Sequence, residues 1–445
     1  MNRYVGATCG RPRVSQPPNR KVSKKHAAIM LAVLAALFIT AGCRSGGGEP
    51  GKGDTGAGQT EWVYSFEDWE TTPVQRDGYT DYPVIIGEGT DYPLKGILSI
   101  PDDLPDDPPD DPPDDPPDDP PDDLPDGSAH DSSAPYDSAP DDSVRDDSAP
   151  YDSARDDSAS GTIAPPVVPA VVLVHGSGPM NMDSEAFGIT VFKDIADYLA
   201  KNGIAVLRYD KRTFAHGAKM VEQFGDDLTV WEESIEDALL AKAFLEQFEL
   251  VDSEQNELMS FEQIYVLGHS LGGMLAPRIV SEGDFAGGII MAGSPRSLLD
   301  IIYDQNLYFI GLQKPSALQR ISLLAQVERA RAQNFTLPEK YITGMDAFPA
   351  AGYLTETDKP FLILQGGKDF QVYADVDFEM YKTIAYGSDN IELHLYENLN
   401  HMFTLSTMEK PTLDDYIAGA TVDEAPLRDI VDWVKRKSYE VSYWH

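Results

Sequence analysis

The chain reads as an α/β fold with a mostly parallel central sheet and helices on both faces. Residues 170–174 form a continuous apolar run of the kind found in a strand buried on both faces, and further strands follow at 204–209, 264–267, 287–292 and 361–365. Segments with apolar residues at helical spacing separate them, the first carrying Phe187, Val191, Ile195 and Leu199. Strands alternating regularly with helices predict βαβ units and hence parallel pairing.

The elements before this core need separate justification. Residues 1–26 carry Arg3, Arg11, Arg13, Arg20, Lys21, Lys24 and Lys25 and no acid, and 27–41 form an uncharged apolar run. That is the layout of an export signal, and the run is shorter than the roughly 20 residues that span a bilayer. It ends in Thr40-Ala41-Gly42-Cys43, similar to the cleavage box of bacterial lipoproteins, with Thr40 where that box usually has leucine. The resemblance implies removal of 1–42, lipidation of Cys43 and an extracytoplasmic, membrane-anchored location. The chain has two cysteines, Cys9 and Cys43, so the region beyond Cys43 holds no intrachain disulfide and no thiolate metal cluster.

Residues 43–60 are glycine-rich, a flexible tether. Residues 61–100 begin with an aromatic-rich stretch, 61–70, best explained by packing on the domain, and continue with two strands, 83–86 and 94–100, joined by a glycine-containing turn. Residues 101–160 repeat Pro-Pro-Asp-Asp and then Asp-Ser-Ala, with 22 Asp against Arg145 and Arg155, a net −20 of the chain's −39. This segment lacks the residues to bury a core and is expected to be disordered, the first part stiffened toward polyproline II. Its paired aspartates lack the glycine turn and terminal bidentate Glu of a structured calcium loop, so a solvated spacer is the better reading. Placed at a hairpin tip, such an insertion costs only about 2–3 kcal/mol in loop closure. The acidity as a whole excludes a basic nucleic-acid footprint.

The catalytic-scale region is 161–445. A helix is expected over 187–200 and another over 231–248, with a final strand at 391–396. The stretch 297–353 is too long for an ordinary connection, so a helical cap is expected at about 295–358.

One stretch carries the chemistry. Tyr265 to Leu267 leads into Gly268-His269-Ser270-Leu271-Gly272 and then an apolar helix, which sets a serine on a sharp strand-to-helix turn beside a helix N-terminus. A serine hydroxyl needs a base within reach and an acid to orient the base. Of the eight histidines, His26 leaves with the signal, His130 lies in the spacer, and His175, His216 and His269 precede or adjoin the serine. His394 alternates with Glu392 on the polar side of a strand and His445 is terminal. His401, after the last strand, remains. Asp369 follows the strand at 361–365 and projects from its carboxyl edge, where parallel sheets place their sites. Asp358 lies on the opposite edge, and Asp375 and Asp377 fall within the next helix. Backbone N–H groups of Ser177, in His175-Gly176-Ser177-Gly178-Pro179, and of Leu271 are placed to receive an oxyanion.

These motifs, with Arg208-Tyr209-Asp210-Lys211-Arg212, Gly367-Lys368-Asp369 and Asn400-His401, together resemble the α/β-hydrolase superfamily. They are most similar to bacterial serine esterases related to dienelactone hydrolase and prolyl-oligopeptidase catalytic domains. The resemblance covers residues 79–100 and 161–440. It implies an α/β-hydrolase fold, Ser270 as nucleophile, Asp369 as acid, His401 as base, a small-molecule ester substrate, and no cofactor or metal. Residues 208–212 are read as a brace of ion pairs beside the site. Serine at the elbow points to acyl transfer to water, and no propeller fits in the N-terminal residues. Two other functions compete: a peptidase acting on short peptides, and a surface spacer or binding protein whose hydrolase domain is inactive.

Overall fold

A computed structural model describes residues 3–4, 64–103, 165–251 and 256–442. The signal, Cys43, the tether, nearly all of the acidic segment and His445 lie outside the described residues. No described helix is long and apolar enough to cross a membrane.

Eight strands of five to eight residues build the main sheet: β1 Tyr79–Ile86, β2 Leu94–Pro101, β3 Ala170–Val174, β4 Ala205–Tyr209, β5 Ile264–His269, β6 Gly287–Met291, β7 Phe361–Gly366 and β8 Ile391–Tyr396. Their order is β8-β7-β6-β5-β3-β4-β2-β1, and a two-residue edge segment, Val74–Gln75, completes it. β3 to β8 are mutually parallel, whereas β2 runs antiparallel to both β4 and β1. The parallel strands β3 to β7 are buried at every position.

Ten helices flank these strands among the described residues: α1 Val191–Lys201, α2 Arg212–Gln223, α3 Glu236–Leu245, α4 Leu271–Gly283, α5 Leu298–Leu312, α6 Ala317–Arg331, α7 Glu339–Asp346, α8 Ala350–Glu356, α9 Glu379–Ile384 and α10 Glu424–Ser442. Alternate strand residues face opposite ways, which divides the core in two. Val172, Val174, Ile264 and Val266 join α3, α4 and residues of α5 to α8 in one cluster. Val171, Leu173, Tyr265 and Leu267 join α1 and α10, including the buried Trp433, in the other.

Local departures from the expected elements have physical causes. The helix expected from residue 187 starts at Val191, because Ser184, Phe187 and Gly188 adopt positive φ and fold Glu185–Ala186 back on Ile189–Thr190 as a small hairpin. The segment from Trp231 opens with one π turn, Trp231–Ile235, before α3. The acidic segment does not sit at a hairpin tip: it lies in sequence between β2 and β3, which do not pair with each other but lie on either side of β4. Residues 64–69 pack on the domain: Tyr64 donates its hydroxyl to Asp210 Oδ2 at 2.7 Å and accepts from Lys95 N at 2.8 Å. The Lys95 ammonium lies 4.8 to 5.7 Å from the rings of Tyr64, Phe66 and Trp69.

Candidate active site

Ser270 occupies the turn between β5 and α4 with φ 56° and ψ −118°. This is unfavourable for an L-residue with a side chain, by about 1–3 kcal/mol, and the surroundings enforce it. Ser270 N donates to Met291 O at 2.9 Å, and Met274 N donates to Ser270 O at 3.1 Å. The neighbouring glycines exist because backbones cross here. A Cβ on Gly268 would lie 2.1 Å from Gly272 O, and one on Gly272 would lie 2.1 Å from Val174 O. The spacing of the Gly-His-Ser-Leu-Gly motif therefore reflects β5, α4 and the end of β3 meeting at one point.

The acid and base arrive from β7 and β8. Gly366 and Gly367 let the β7 turn press on the loop after β8; added Cβ atoms would stand 2.4 Å from Leu399 O and 2.7 Å from Glu397 O. Asp369 follows. Its Oδ1 accepts from Gln371 N at 2.7 Å and Val372 N at 2.9 Å. Its Oδ2 accepts from Gln365 Nε2 at 3.2 Å and His401 Nδ1 at 2.7 Å. A carboxylate so held fixes the Nδ1–H tautomer and leaves His401 Nε2 free to accept a proton. Asn400 fixes the loop carrying His401: its Oδ1 accepts from Met402 N at 3.0 Å, and its Nδ2 donates to Asp415 Oδ2 at 3.1 Å.

His269, which position alone sets aside, takes part in this arrangement. Its Nε2–H donates to the backbone oxygen of His401 at 2.8 Å, and the two rings are 4.9 Å apart. Burial, then the neighbouring His401, lowers its pKa to about 4, so it is a neutral donor at ordinary pH. Through this bond the residue before Ser270 holds the backbone of His401. A histidine closing a fully buried strand was the signal available in the sequence.

The third component follows β3. In His175-Gly176-Ser177-Gly178-Pro179, Gly176 lies against the serine, a Cβ there being 3.1 Å from Ser270 Cβ. Ser177 N–H has no acceptor among the described residues. Leu271 N–H, the first of α4, has no intrahelical partner. His175 Nε2 bonds Asn181 O at 3.0 Å, and burial lowers its pKa to about 3.

The segment after β4 braces this loop. Asp210 Oδ1 accepts from Met182 N at 2.8 Å, and Lys211 N donates to Met180 O at 3.0 Å. Arg208 Nε lies 3.0 Å from Asp183, and Arg212 pairs with Asp237 and with Glu236 at 2.7 Å. Between α4 and the 298–356 helices lies a cavity of about 190 Å³ lined by residues including Val230, Met274, Arg278 and Phe348. Ser270 does not line it, but Met274 stands one helical turn away. Among the described residues no three His, Cys, Asp or Glu converge as metal ligands.

A parallel sheet in this strand order, a strained serine at the turn after β5, and an aspartate and histidine paired after β7 and β8 define an α/β hydrolase. The chain belongs to the alpha/beta hydrolase family, whose model matches residues 171–413. It is 34% identical over 271 residues to esterase EstD of Thermotoga maritima, a match covering 60% of this chain and 62% of that protein. The chain thus spans less than two thirds of that relative's length. Among solved structures, an esterase of Pyrococcus furiosus aligns with TM-score 0.41 and 14% identity over 80% of this chain and 91% of its own. A dienelactone hydrolase of Anabaena variabilis aligns with TM-score 0.38 and 13% identity over 81% of this chain and 99% of its own.

Proposed function

We propose that the protein is a serine-dependent hydrolase of carboxylic esters, working through an acyl-enzyme on Ser270. The observation that carries this reading is the buried Asp369–His401 pair at 2.7 Å, whose histidine backbone is tied by His269 to the strained serine turn. Ser270 Oγ attacks the ester carbonyl carbon while His401 Nε2 takes the hydroxyl proton. The tetrahedral oxyanion receives the N–H groups of Ser177 and Leu271. His401 then returns the proton to the departing alcohol. Water, deprotonated by the same nitrogen, attacks the acyl carbon and releases the acid and the free serine.

The esterase relative supports the substrate class. The cavity beside α4 begins at Met274, one helical turn from Ser270, and is the candidate space for one side of the ester. We read those helices, α5 to α8, as a cap. Ser270→Ala should abolish turnover of a p-nitrophenyl short-chain ester and labelling by a fluorophosphonate; undiminished turnover in that variant rejects the assignment.

Export and lipidation at Cys43 are the accompanying proposal, resting on the layout of residues 1–43. Metabolic labelling with a fatty-acid probe tests it: wild type should incorporate label and Cys43→Ala should not, and equal labelling of the two would reject it.

A further inference from the structure

Lys211 is among the most deeply buried large side chains of the protein, at 2% exposure, and the acyl-transfer steps above do not use it. An ammonium is retained in an interior only where its charge is paired and its donors are used. Lys211 Nζ lies 2.6 Å from Glu233 Oε1 and donates to the carbonyl oxygen of Gly176 at 2.8 Å. The other oxygen of Glu233 accepts from the hydroxyl of Tyr341 at 2.6 Å. Glu233 belongs to the π turn before α3, and Tyr341 is a buried residue of α7. A line of charge-assisted hydrogen bonds therefore runs from the helices over the site, through the interior, to the loop after β3.

The end point of that line gives it chemical meaning. Gly176 C=O and Ser177 N–H are the two ends of one planar trans peptide group and point in opposite directions. Whatever holds the oxygen aims the hydrogen. A cation on the oxygen also polarises the amide and strengthens its N–H as a donor. The loop needs such a hold, because Gly176 and Gly178 supply little conformational restraint of their own. Gly178 already sits at φ 86°.

We propose that Lys211 is a positioning residue for the oxyanion hole, its ammonium fixed by Glu233 and, through Glu233, by Tyr341 of α7. The inference rests on the reading of Ser270 as nucleophile. The arrangement makes the donor strength of Ser177 N–H depend on α7 being seated. It also explains why a lysine follows β4 between Asp210 and Arg212, whose partners are the adjoining loop and α3.

Lys211→Met alone strands the Glu233 carboxylate, so the test uses Lys211→Met with Glu233→Gln, which removes both charges and keeps an acceptor for Tyr341. The second variant is Tyr341→Phe. For each, kcat and KM on a short-chain ester, the rate of fluorophosphonate labelling, the affinity of a trifluoromethyl ketone and thermal stability are measured. The ketone forms a tetrahedral oxyanion on the serine and so reports on the hole itself. For the double variant kcat is expected to fall about 10- to 100-fold, at or below the loss from removing a donor outright. Ketone affinity should fall in parallel and KM should stay within twofold. Tyr341→Phe should give a smaller loss of the same pattern, about threefold. A folded double variant with wild-type kcat and ketone affinity, or with its loss entirely in KM, overturns the proposal. If the double variant does not fold, Tyr341→Phe decides, and unchanged kcat and ketone affinity there overturn it. Wild-type protein that fails to label refutes the Ser270 reading instead. If wild type labels but cleaves no ester, the variant-to-wild-type ratio of labelling rates still decides the role of Lys211.

Discussion

Asp369→Asn offers the most discriminating test of the site, because the structure dictates how the new amide must sit. Oδ1 of Asp369 accepts two backbone N–H groups, from Gln371 at 2.7 Å and Val372 at 2.9 Å, so the asparagine oxygen must occupy that side. Its NH2 then takes the place of Oδ2, facing His401 Nδ1. The imidazole can only respond by accepting at Nδ1 and carrying its proton on Nε2, the tautomer that cannot receive the serine proton. A tautomer reversal of this kind costs about 10⁴-fold in kcat, or about 5.4 kcal/mol of transition-state stabilisation. The fold loses little. The NH2 confronts the Gln365 amide, formerly 3.2 Å from Oδ2, but that amide keeps its bonds to Gly366 O and Val372 O at 3.1 Å, which limits the penalty to about 1 kcal/mol. Steady-state turnover of p-nitrophenyl acetate beside a thermal melt separates the two effects. A folded variant retaining more than a tenth of wild-type kcat/KM would refute the role given to Asp369.

Acid should destabilise the domain through two of its buried histidines, His175 and His269. With folded pKa values of about 3 for His175 and about 4 for His269, both below the free value near 6.5, their contribution is complete above pH 6.5. It is lost as pH falls toward 4, by about 1.4 kcal/mol per pH unit for each. His269→Gln should flatten the pH dependence of the melting temperature over that range, and an unchanged slope would contradict the assignment. Gly176→Ala sets a methyl 3.1 Å from Ser270 Cβ and 3.7 Å from its Oγ; kcat should fall at least about tenfold with little change in melting temperature, and full activity would place the loop elsewhere during turnover. Met274→Trp fills part of the cavity beside α4 and should shift preference toward shorter acyl chains in an ester series; an unaltered chain-length profile would show that the cavity receives neither part of the ester.

What the sequence discloses here is local, and the reasons are physical. The runs at Ala170–Val174 and 361–364 are readable because strands buried on both faces are almost wholly apolar. Asp369 and His401 can be picked out because strand ends define where a side chain enters the carboxyl edge, a rule of chain order alone. The bond from His269 to His401 spans 132 residues, and no periodicity announces it. The same holds for Lys211, Glu233 and Tyr341, whose contacts span 22 and 108 residues of chain and most of whose neighbours in sequence are themselves polar or charged. The start of α1 was hidden for another reason: positive φ at Phe187 is a non-glycine feature that composition does not signal.

β2 is antiparallel to β4, with Ser99 opposite Val206, so Pro101 ends beside the start of β4. Ala170 begins β3 on the same side, hydrogen-bonded to Gln263 just ahead of β5. Both junctions of the acidic segment thus lie at the amino-terminal edge of the parallel strands, across the sheet from the turns bearing Ser270, Asp369 and His401. Surface connections tolerate insertions and deletions, and a change of length at this seam is made on the sheet edge opposite the one that carries Ser270, Asp369 and His401.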